Sequence, residues 1–185
     1  MTTATTTDLS GTYALDATHT RLGFTARHAM VTKVRGQFEV FDGTANLDFN
    51  DPSKSSATVS FDIDSIKTGQ AQRDEHLRTN DFFDAPSFPK GSFVSTAAKK
   101  IDDQTFELTG DLTLKGVTNP VTITFEYTGT ATDPYNNVRA GFEGKATINR
   151  KDWGITYNAA LETGGVLISE KINLEFDISA IKSAE

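Results

Sequence analysis

The sequence predicts an all-β fold, and three features of the chain support this prediction. Threonine occurs 27 times and phenylalanine 13 times in 185 residues, and both side chains favour strands. Apolar and polar residues alternate with a period of two in seven segments, which gives each predicted strand one dry face and one wet face. Turn-forming residues separate the segments, and the short connections favour antiparallel neighbours.

The seven alternating segments are the predicted strands. They span residues 20–30, 34–40, 57–63, 106–114, 121–127, 138–148 and 172–178. An additional strand begins at Gly91 and is joined through the turn Asp102-Asp103 to the strand that ends at Leu114. Large aromatic side chains lie at alternate positions on the apolar face of six predicted strands, at Phe24, Phe38, Phe61, Phe125, Phe142 and Phe176. Glycines inside strands, such as Gly36 and Gly144, suit the bends and bulges of a closing sheet.

One stretch breaks the alternation. Residues 70–84 contain no glycine or proline, and their pattern predicts a short helical connection around residues 70–80. At helical spacing Arg73, His76 and Asn80 share a face. Residues 1–9 are predicted to be a flexible threonine-rich tail, and residues 10–185 a single domain, because no linker divides them.

Alternation alone is compatible with two arrangements of the strands. A sandwich packs the dry faces against each other, whereas a closed barrel of about eight strands is either just filled or holds one ligand. The segments 20–30 and 138–148 are long. A strand of about ten residues rises about 33 Å, which at a tilt of about 40° gives a tunnel of roughly 25 Å. Such a tunnel would accept an extended molecule more readily than a compact ring.

Composition excludes several classes of function. The chain has 18 basic and 25 acidic residues, a formal charge of −7, which argues against nucleic acid and anionic membrane surfaces as partners. The absence of cysteine excludes disulfides and thiol nucleophiles. The longest aliphatic run is Val166-Leu167-Ile168, so no membrane insertion is expected. No basic residue precedes Arg21 and no apolar leader follows the first methionine, which predicts a cytoplasmic protein.

A set of short motifs runs in order along nearly the whole chain after the tail. The motifs are Tyr13–Thr20 (YALDATHT), Phe24 with Arg27-His28, Val34–Phe38 (VRGQF), Arg73–Leu77 (RDEHL), Asp81–Asp84 (DFFD), Phe88-Pro89, Gly110–Thr118 (GDLTLKGVT), Gly141-Phe142, Ile148–Gly154 (INRKDWG) and the closing strand to Ile178. In this order they resemble the YceI-like, polyisoprenoid-binding family. Thr20 and Trp153 stand where the family often has serine and phenylalanine.

The resemblance implies an extended, antiparallel, eight-stranded lipocalin-like barrel that holds a long isoprenoid or a similar amphiphile. The expected function is that of a non-enzymatic carrier, storage or sequestration protein for a polyisoprenoid, a prenyl quinone or a comparable lipid. Many relatives carry signal peptides and are periplasmic. The only expected partner is this small-molecule lipid, and the sequence leaves a homodimer open.

Residues on the apolar faces of the predicted strands and in the neighbouring segments are the candidate ligand contacts. These are Leu22, Phe24, Ala26, His28, Phe38, Val40, Phe61, Ile63, Phe82, Phe83, Leu112, Leu114, Phe125, Phe142, Ile148 and Trp153. The same side chains would equally fill the interior of their own barrel, so the pattern leaves core packing and ligand lining open.

An amphiphile also requires a place for its polar head. The candidates are His28, Arg73, Asp74 and His76, because a guanidinium binds phosphate or carboxylate well and an imidazole can donate to a carbonyl or quinone oxygen. The alternative interpretation is structural: an ion pair between Asp74 and a neighbouring arginine, and a histidine bound to a loop carbonyl.

The sequence contains no catalytic or metal-binding motif. His19, His28 and His76 have no metal-ligand spacing, and no nucleophile elbow or phosphate loop is present. No catalytic residue, metal or cofactor is therefore predicted, apart from the bound lipid. Two alternatives remain: an enzyme acting on a prenyl lipid with Arg73, Asp74 and His76 at the barrel mouth, or a stress-related scaffold protein without a ligand.

Overall fold

A computed structural model describes residues 8–162 and 164–183. The strands are β1 (Gly11–Leu15), β2 (Arg21–His28), β3 (Thr32–Phe38), β4 (Phe41–Leu47), β5 (Ser56–Asp62), β6 (Ile66–Lys67), β7 (Lys90–Lys100), β8 (Thr105–Leu114), β9 (Val117–Thr132), β10 (Val138–Asn149) and β11 (Lys171–Lys182). One helix, α1, spans Ala71–Leu77, and short 3-10 turns occupy Pro52–Lys54, Ile63–Ser65 and Arg150–Trp153.

Eight strands form a closed antiparallel barrel. They are paired in the order β1, β4, β5, β7, β8, β9, β10 and β11, and β1 pairs with β11 to complete the ring. The remaining strands β2, β3 and β6 extend from β11, with β2 paired to β11 and β3 paired to both β2 and β6. The predicted eight-stranded antiparallel barrel is thus confirmed, and a sandwich of two open sheets is excluded.

The strands with clear alternation are those that the sequence located best. Residues 138–148 were predicted and β10 covers Val138–Asn149, while the predicted strand at residues 121–127 is part of the longer β9. Alternation did not predict β1 and β4. Their signal is weak because β1 is five residues long and the dry parity of β4 includes Gly43 and Ala45 instead of large apolar side chains.

The predicted helical connection is also confirmed, at a length of seven residues. Asp74, which is buried, accepts hydrogen bonds from the main-chain N–H and the hydroxyl of Thr68, at 2.9 and 2.5 Å. These bonds join the turn before α1 to the helix itself. The predicted tail falls mainly on residues 1–7, which lie outside the described residues.

Two clusters of buried side chains stabilise the barrel. The larger cluster includes Ile63, Phe82 and Trp153, and the smaller one consists of Tyr13, Ala140, Phe142 and Ala180. Half-buried residues, namely Phe106, Phe125 and Ile178, pack against both clusters. Within the described residues, no helix has the length and apolar character needed to cross a membrane.

Candidate functional site

The barrel encloses a cavity of about 260 Å³ that its own side chains do not fill. The wall is apolar and draws on strands from the whole barrel and on β2 and β3. Representative lining residues are Phe24, Phe38, Ile123, Leu174 and Phe176. The exceptions in the wall are the hydroxyl residues Thr44, Ser55 and Ser56, and the charged residue Arg150.

Inward-pointing side chains keep some exposed surface because of this cavity. Phe24, Leu174 and Phe176 line the interior but are only half-buried, whereas a close-packed core would bury them completely. An interior of this kind favours apolar molecules, because the wall gives polar groups almost no partners.

Glycines on neighbouring strands explain how a wall rich in phenylalanine leaves space. Phe125 on β9 is paired with Gly144 on β10, and a Cβ added to Gly144 would lie 2.5 Å from Phe125 Cε1. The ring therefore lies against the wall over the glycine. Two further pairs share this arrangement: Phe24 with Gly36, and Phe61 with Gly91. The interior glycines thus allow aromatic rings to lie along the wall instead of across the lumen.

Most of the predicted contact residues line the cavity. They are Leu22, Phe24, Ala26, Phe38, Phe61, Phe82, Phe83, Leu112, Leu114, Phe125, Phe142 and Ile148. Four predicted contacts lie elsewhere. His28 and Val40 are exposed, Ile63 is buried in the larger cluster, and Trp153 is buried with its indole N–H donating to the Leu112 carbonyl at 2.8 Å.

None of the four predicted head-group residues lines the cavity, and three of them, Arg73, Asp74 and His76, form hydrogen bonds within their own segment. Arg73 donates to the hydroxyl and the carbonyl of Thr68, at 2.7 and 2.6 Å. His76 Nε2 lies 2.8 Å from an oxygen of Asp81, and its ring contacts Phe82, with centroids 5.0 Å apart. The side chain of Phe82, which lines the cavity, therefore lies between His76 and the cavity.

Several lining residues were not among the predicted contacts. Phe106, Leu108, Ile123, Leu174, Phe176 and Ile178 belong to this group, together with Phe93 and Arg150. The first six lie on the apolar faces of predicted strands, so the alternation that identified the other contacts was present for them too. Arg150 had no such signal, because a charged residue between Asn149 and Lys151 is typical of an exposed turn.

Arg150 is nevertheless 5% exposed. Burial lowers the pKa of its guanidinium, and the charge of Glu170 acts in the opposite direction.

Elsewhere on the barrel Arg139 bridges two carboxylates, those of Asp16 at 2.6 Å and Asp133 at 2.8 Å. The hydrogen bond from Arg139, followed by that from His19, lowers the pKa of Asp16 to about 2. No group of three or more potential metal ligands occurs in the described part of the chain.

Known proteins resemble this chain in sequence and in fold. The family described as "YceI-like domain" matches residues 13–180. A UPF0312 protein of Staphylococcus aureus (strain MSSA476) is 38% identical over 164 residues, which cover 88% of this chain and 93% of that protein.

Solved structures share the fold at lower sequence identity. BcnA of Burkholderia cenocepacia superposes with a TM-score of 0.79 at 21% identity, covering 89% of this chain and 98% of that structure. A polyisoprenoid binding domain from Saccharophagus degradans, implicated in plant cell wall breakdown, superposes with a TM-score of 0.69 at 15% identity, covering 92% and 98%.

Proposed function

Because this chain belongs to the YceI-like family, we propose that it binds a long apolar amphiphile inside its barrel. The ligand class is a polyisoprenoid, a prenyl quinone or a similar lipid, and the role is that of a carrier, storage or sequestration protein. The apolar cavity of about 260 Å³ is the observation on which this proposal rests. The Saccharophagus degradans domain, described as polyisoprenoid binding, has the same fold and supports the choice of ligand class.

Burial of the tail supplies the driving force for binding. Each methylene that leaves water contributes about 0.8 kcal/mol, so about ten methylenes contribute roughly 8 kcal/mol before ordering costs are subtracted. Such a wall selects the length and thickness of a tail. It discriminates poorly between chemically similar tails, because one methylene changes the affinity only about fourfold.

We propose binding without turnover. Arg73 and Asp74 form hydrogen bonds with Thr68, and the described residues place neither side chain in the cavity wall. A cytoplasmic location and a homodimer stay predictions.

Extraction of protein purified from its native host, followed by mass spectrometry, tests the proposal directly. We expect a stoichiometric apolar amphiphile in the extract, and we expect the extracted protein to take up farnesol. If no amphiphile is extracted and no prenyl compound is taken up, the barrel acts as a scaffold. Formation of a chemically altered prenyl product would instead support an enzyme.

Two adjacent residues on β11 provide a matched pair of variants. Leu174 lines the cavity and is half-buried, whereas Asn173 is exposed on the outer face. Leu174→Gln places an amide against the tail, which costs about 1–3 kcal/mol and lowers the affinity for farnesol roughly 5- to 150-fold. Asn173→Gln should leave the affinity unchanged. Equal affinities of the two variants would contradict binding in the cavity.

A further inference from the structure

The turn between β2 and β3 exposes two adjacent apolar side chains. Met30 is 64% exposed and Val31 is 75% exposed, and among the described residues only Tyr135 is a more exposed large apolar side chain. Ala29 and Met30 both have a positive φ, of 50 and 63°, in a type of hairpin turn that favours asparagine and glycine. This backbone conformation is costly for other residues. Strain and apolar exposure at the same turn indicate a place of contact with a partner.

The same hairpin is a basic segment of an acidic protein. Residues 21–38 contain four of the 18 basic residues of the chain and none of its 25 acidic residues. Arg27 lies directly opposite Lys33, and like charges in this position destabilise a strand pair. Arg27 Nη1 donates to the Val31 carbonyl at 3.0 Å, which places this charge at the turn. Lys33 and Arg35 are exposed, and neither forms an ion pair with another described residue.

Most acidic side chains of the neighbouring segments are remote from the turn or are already paired. Glu175 and Asp177 on β11 pair with residues at the opposite end of β2. Glu170, just before β11, forms an ion pair with Lys151 at 2.7 Å. Glu162 is the exception, in the connection that leads to β11. The charge around the turn is therefore mainly positive, although the whole chain is acidic.

The turn also adjoins the wall of the apolar cavity. The N–H of Ala29 donates to the Leu167 carbonyl at 2.7 Å, and His28 forms a main-chain bridge with Ile168. Ile168 lines the cavity, as does Ala26, two residues before His28. A partner that contacts the turn thus lies beside the space in which a tail is proposed to bind.

We propose that the β2–β3 hairpin docks this protein onto an anionic lipid bilayer. Met30 and Val31 enter the boundary between headgroups and acyl chains, and the cations of the hairpin bind lipid phosphates. Lys33 and Arg35 follow Val31 by two and four residues, about 7 and 13 Å along a strand, so their long side chains reach the headgroup layer. The inference goes beyond the proposed function, because it assigns a second surface whose docking does not require a ligand in the cavity.

The bilayer is the partner that this combination of side chains fits. An anionic bilayer offers phosphates for the cations and, directly beneath them, an apolar layer for the two exposed side chains. The formal charge of −7 does not prevent docking. At physiological salt an exposed charge is largely screened beyond about 8 Å, so acidic residues on the far side of the barrel contribute little at the bilayer.

Cosedimentation with vesicles tests the role of the charges. Wild-type protein should bind vesicles of equal amounts of phosphatidylglycerol and phosphatidylcholine, more weakly as the NaCl concentration rises, and should not bind phosphatidylcholine alone. Lys33→Gln combined with Arg35→Gln should bind the anionic vesicles roughly 30-fold more weakly, about fivefold for each cation. Lys99→Gln combined with Lys145→Gln removes two exposed charges on β7 and β10 and should bind as wild type.

A second pair of variants tests the apolar side chains. Met30→Ser combined with Val31→Ser should weaken binding to the anionic vesicles by about tenfold or more. Val40→Ser, which removes an exposed apolar side chain at the other end of β3, should leave it unchanged. These variants should bind farnesol as wild type does, because none of the three residues lines the cavity.

A fluorescent label measures insertion of the turn directly and does not depend on the charge variants. The chain has no cysteine, so Val31→Cys and Tyr135→Cys each carry a single environment-sensitive fluorophore. Both positions are exposed turn residues. Anionic vesicles should shift the emission of the label at position 31 to shorter wavelength and leave that of the label at position 135 unchanged.

The outcomes separate this inference from the proposed function. Equal binding to both kinds of vesicle, or binding to neither, refutes docking on an anionic bilayer. An equal loss in the control variants, or an equal response of the two labels, refutes the assignment to the hairpin. If light scattering shows a dimer that Met30→Ser with Val31→Ser dissociates, the turn joins two copies of this chain and the inference is wrong. Farnesol binding without vesicle binding refutes the inference alone, and vesicle binding without farnesol binding refutes the proposed function alone.

Discussion

Replacement of Gly144 by alanine should shrink the cavity while leaving the fold intact. Gly144 is a buried residue of β10, and the ring of Phe125 lies over it. The added methyl carbon would lie 2.5 Å from Phe125 Cε1 and 2.8 Å from Cδ1, whereas carbon atoms in contact are about 3.5–4.0 Å apart. The ring must therefore move by roughly 1 Å. Phe106 and Phe176 stack on its two sides, with centroids 5.5 and 6.4 Å away, so the cavity is the direction left open.

The expected effect on stability is modest. Overpacking costs about 1–3 kcal/mol, and replacement of a glycine stiffens the unfolded chain, which offsets about 0.4–1 kcal/mol. The ligand is affected differently, because the displaced ring occupies space that one or two methylenes of the tail would use. Their loss weakens binding by about 0.8–1.6 kcal/mol, roughly 4- to 15-fold.

Titration of farnesol and urea unfolding measure the two effects separately. Gly141→Ala is the matched control, because Gly141 belongs to the same strand and its added Cβ would meet the hydroxyl of Thr128 instead of an interior ring. We expect weaker binding in Gly144→Ala and no change of affinity in Gly141→Ala. Unchanged affinity in Gly144→Ala, or an equal loss in both variants, would refute the assignment of this glycine to the cavity wall.

Three other predictions concern single contacts. Trp153→Phe removes the indole hydrogen bond to the Leu112 carbonyl and should cost about 1–3 kcal/mol in urea unfolding; a loss near zero would show that the bond contributes nothing. Arg139 lowers the pKa of Asp16 to about 2 from 3.8, so this carboxylate stabilises the fold above about pH 4 and ceases to do so as the pH falls toward 2. Asp16→Asn should reduce the slope of stability against pH in that range, and an unchanged slope would contradict this. Asp74→Ala should lower the free energy of unfolding by about 1–3 kcal/mol and leave the affinity for farnesol within about twofold of wild type. A large loss of affinity would instead show that Asp74 contributes to ligand binding.

Period-two alternation predicted the wall of the barrel but not its extent. His28 and Ala26 are two residues apart on β2 and therefore on the same side of the strand, but only Ala26 lines the cavity. His28 is the last residue of β2, and its side chain is exposed although its main chain forms a bridge with Ile168, which lines the cavity. Alternation tells which side of a strand a residue faces, and the partner strand decides whether anything lies on that side.

Charged residues were the part of the site that the sequence located least well. Arg73 and His76 were selected because they cluster in sequence, yet they bind Thr68 and Asp81. Arg150 was not selected, and it is the charged residue of the wall. Its burial results from carbonyls of residues 155, 168 and 169, which the chain brings to it through a connection that has no periodic pattern.

By itself the alternation in the sequence determined that this protein consists of strands with one apolar face each, because alternation is a local property that each strand carries alone. It left a sandwich and a barrel open, and the expectation of a barrel came from the resemblance to a family. Whether these apolar faces enclose usable space was decided only when the strands paired. The register that sets Gly144 beside Phe125 joins residues of two strands, and a shift by one position would turn the ring to the other face. Space for a ligand is therefore a property of the paired sheet.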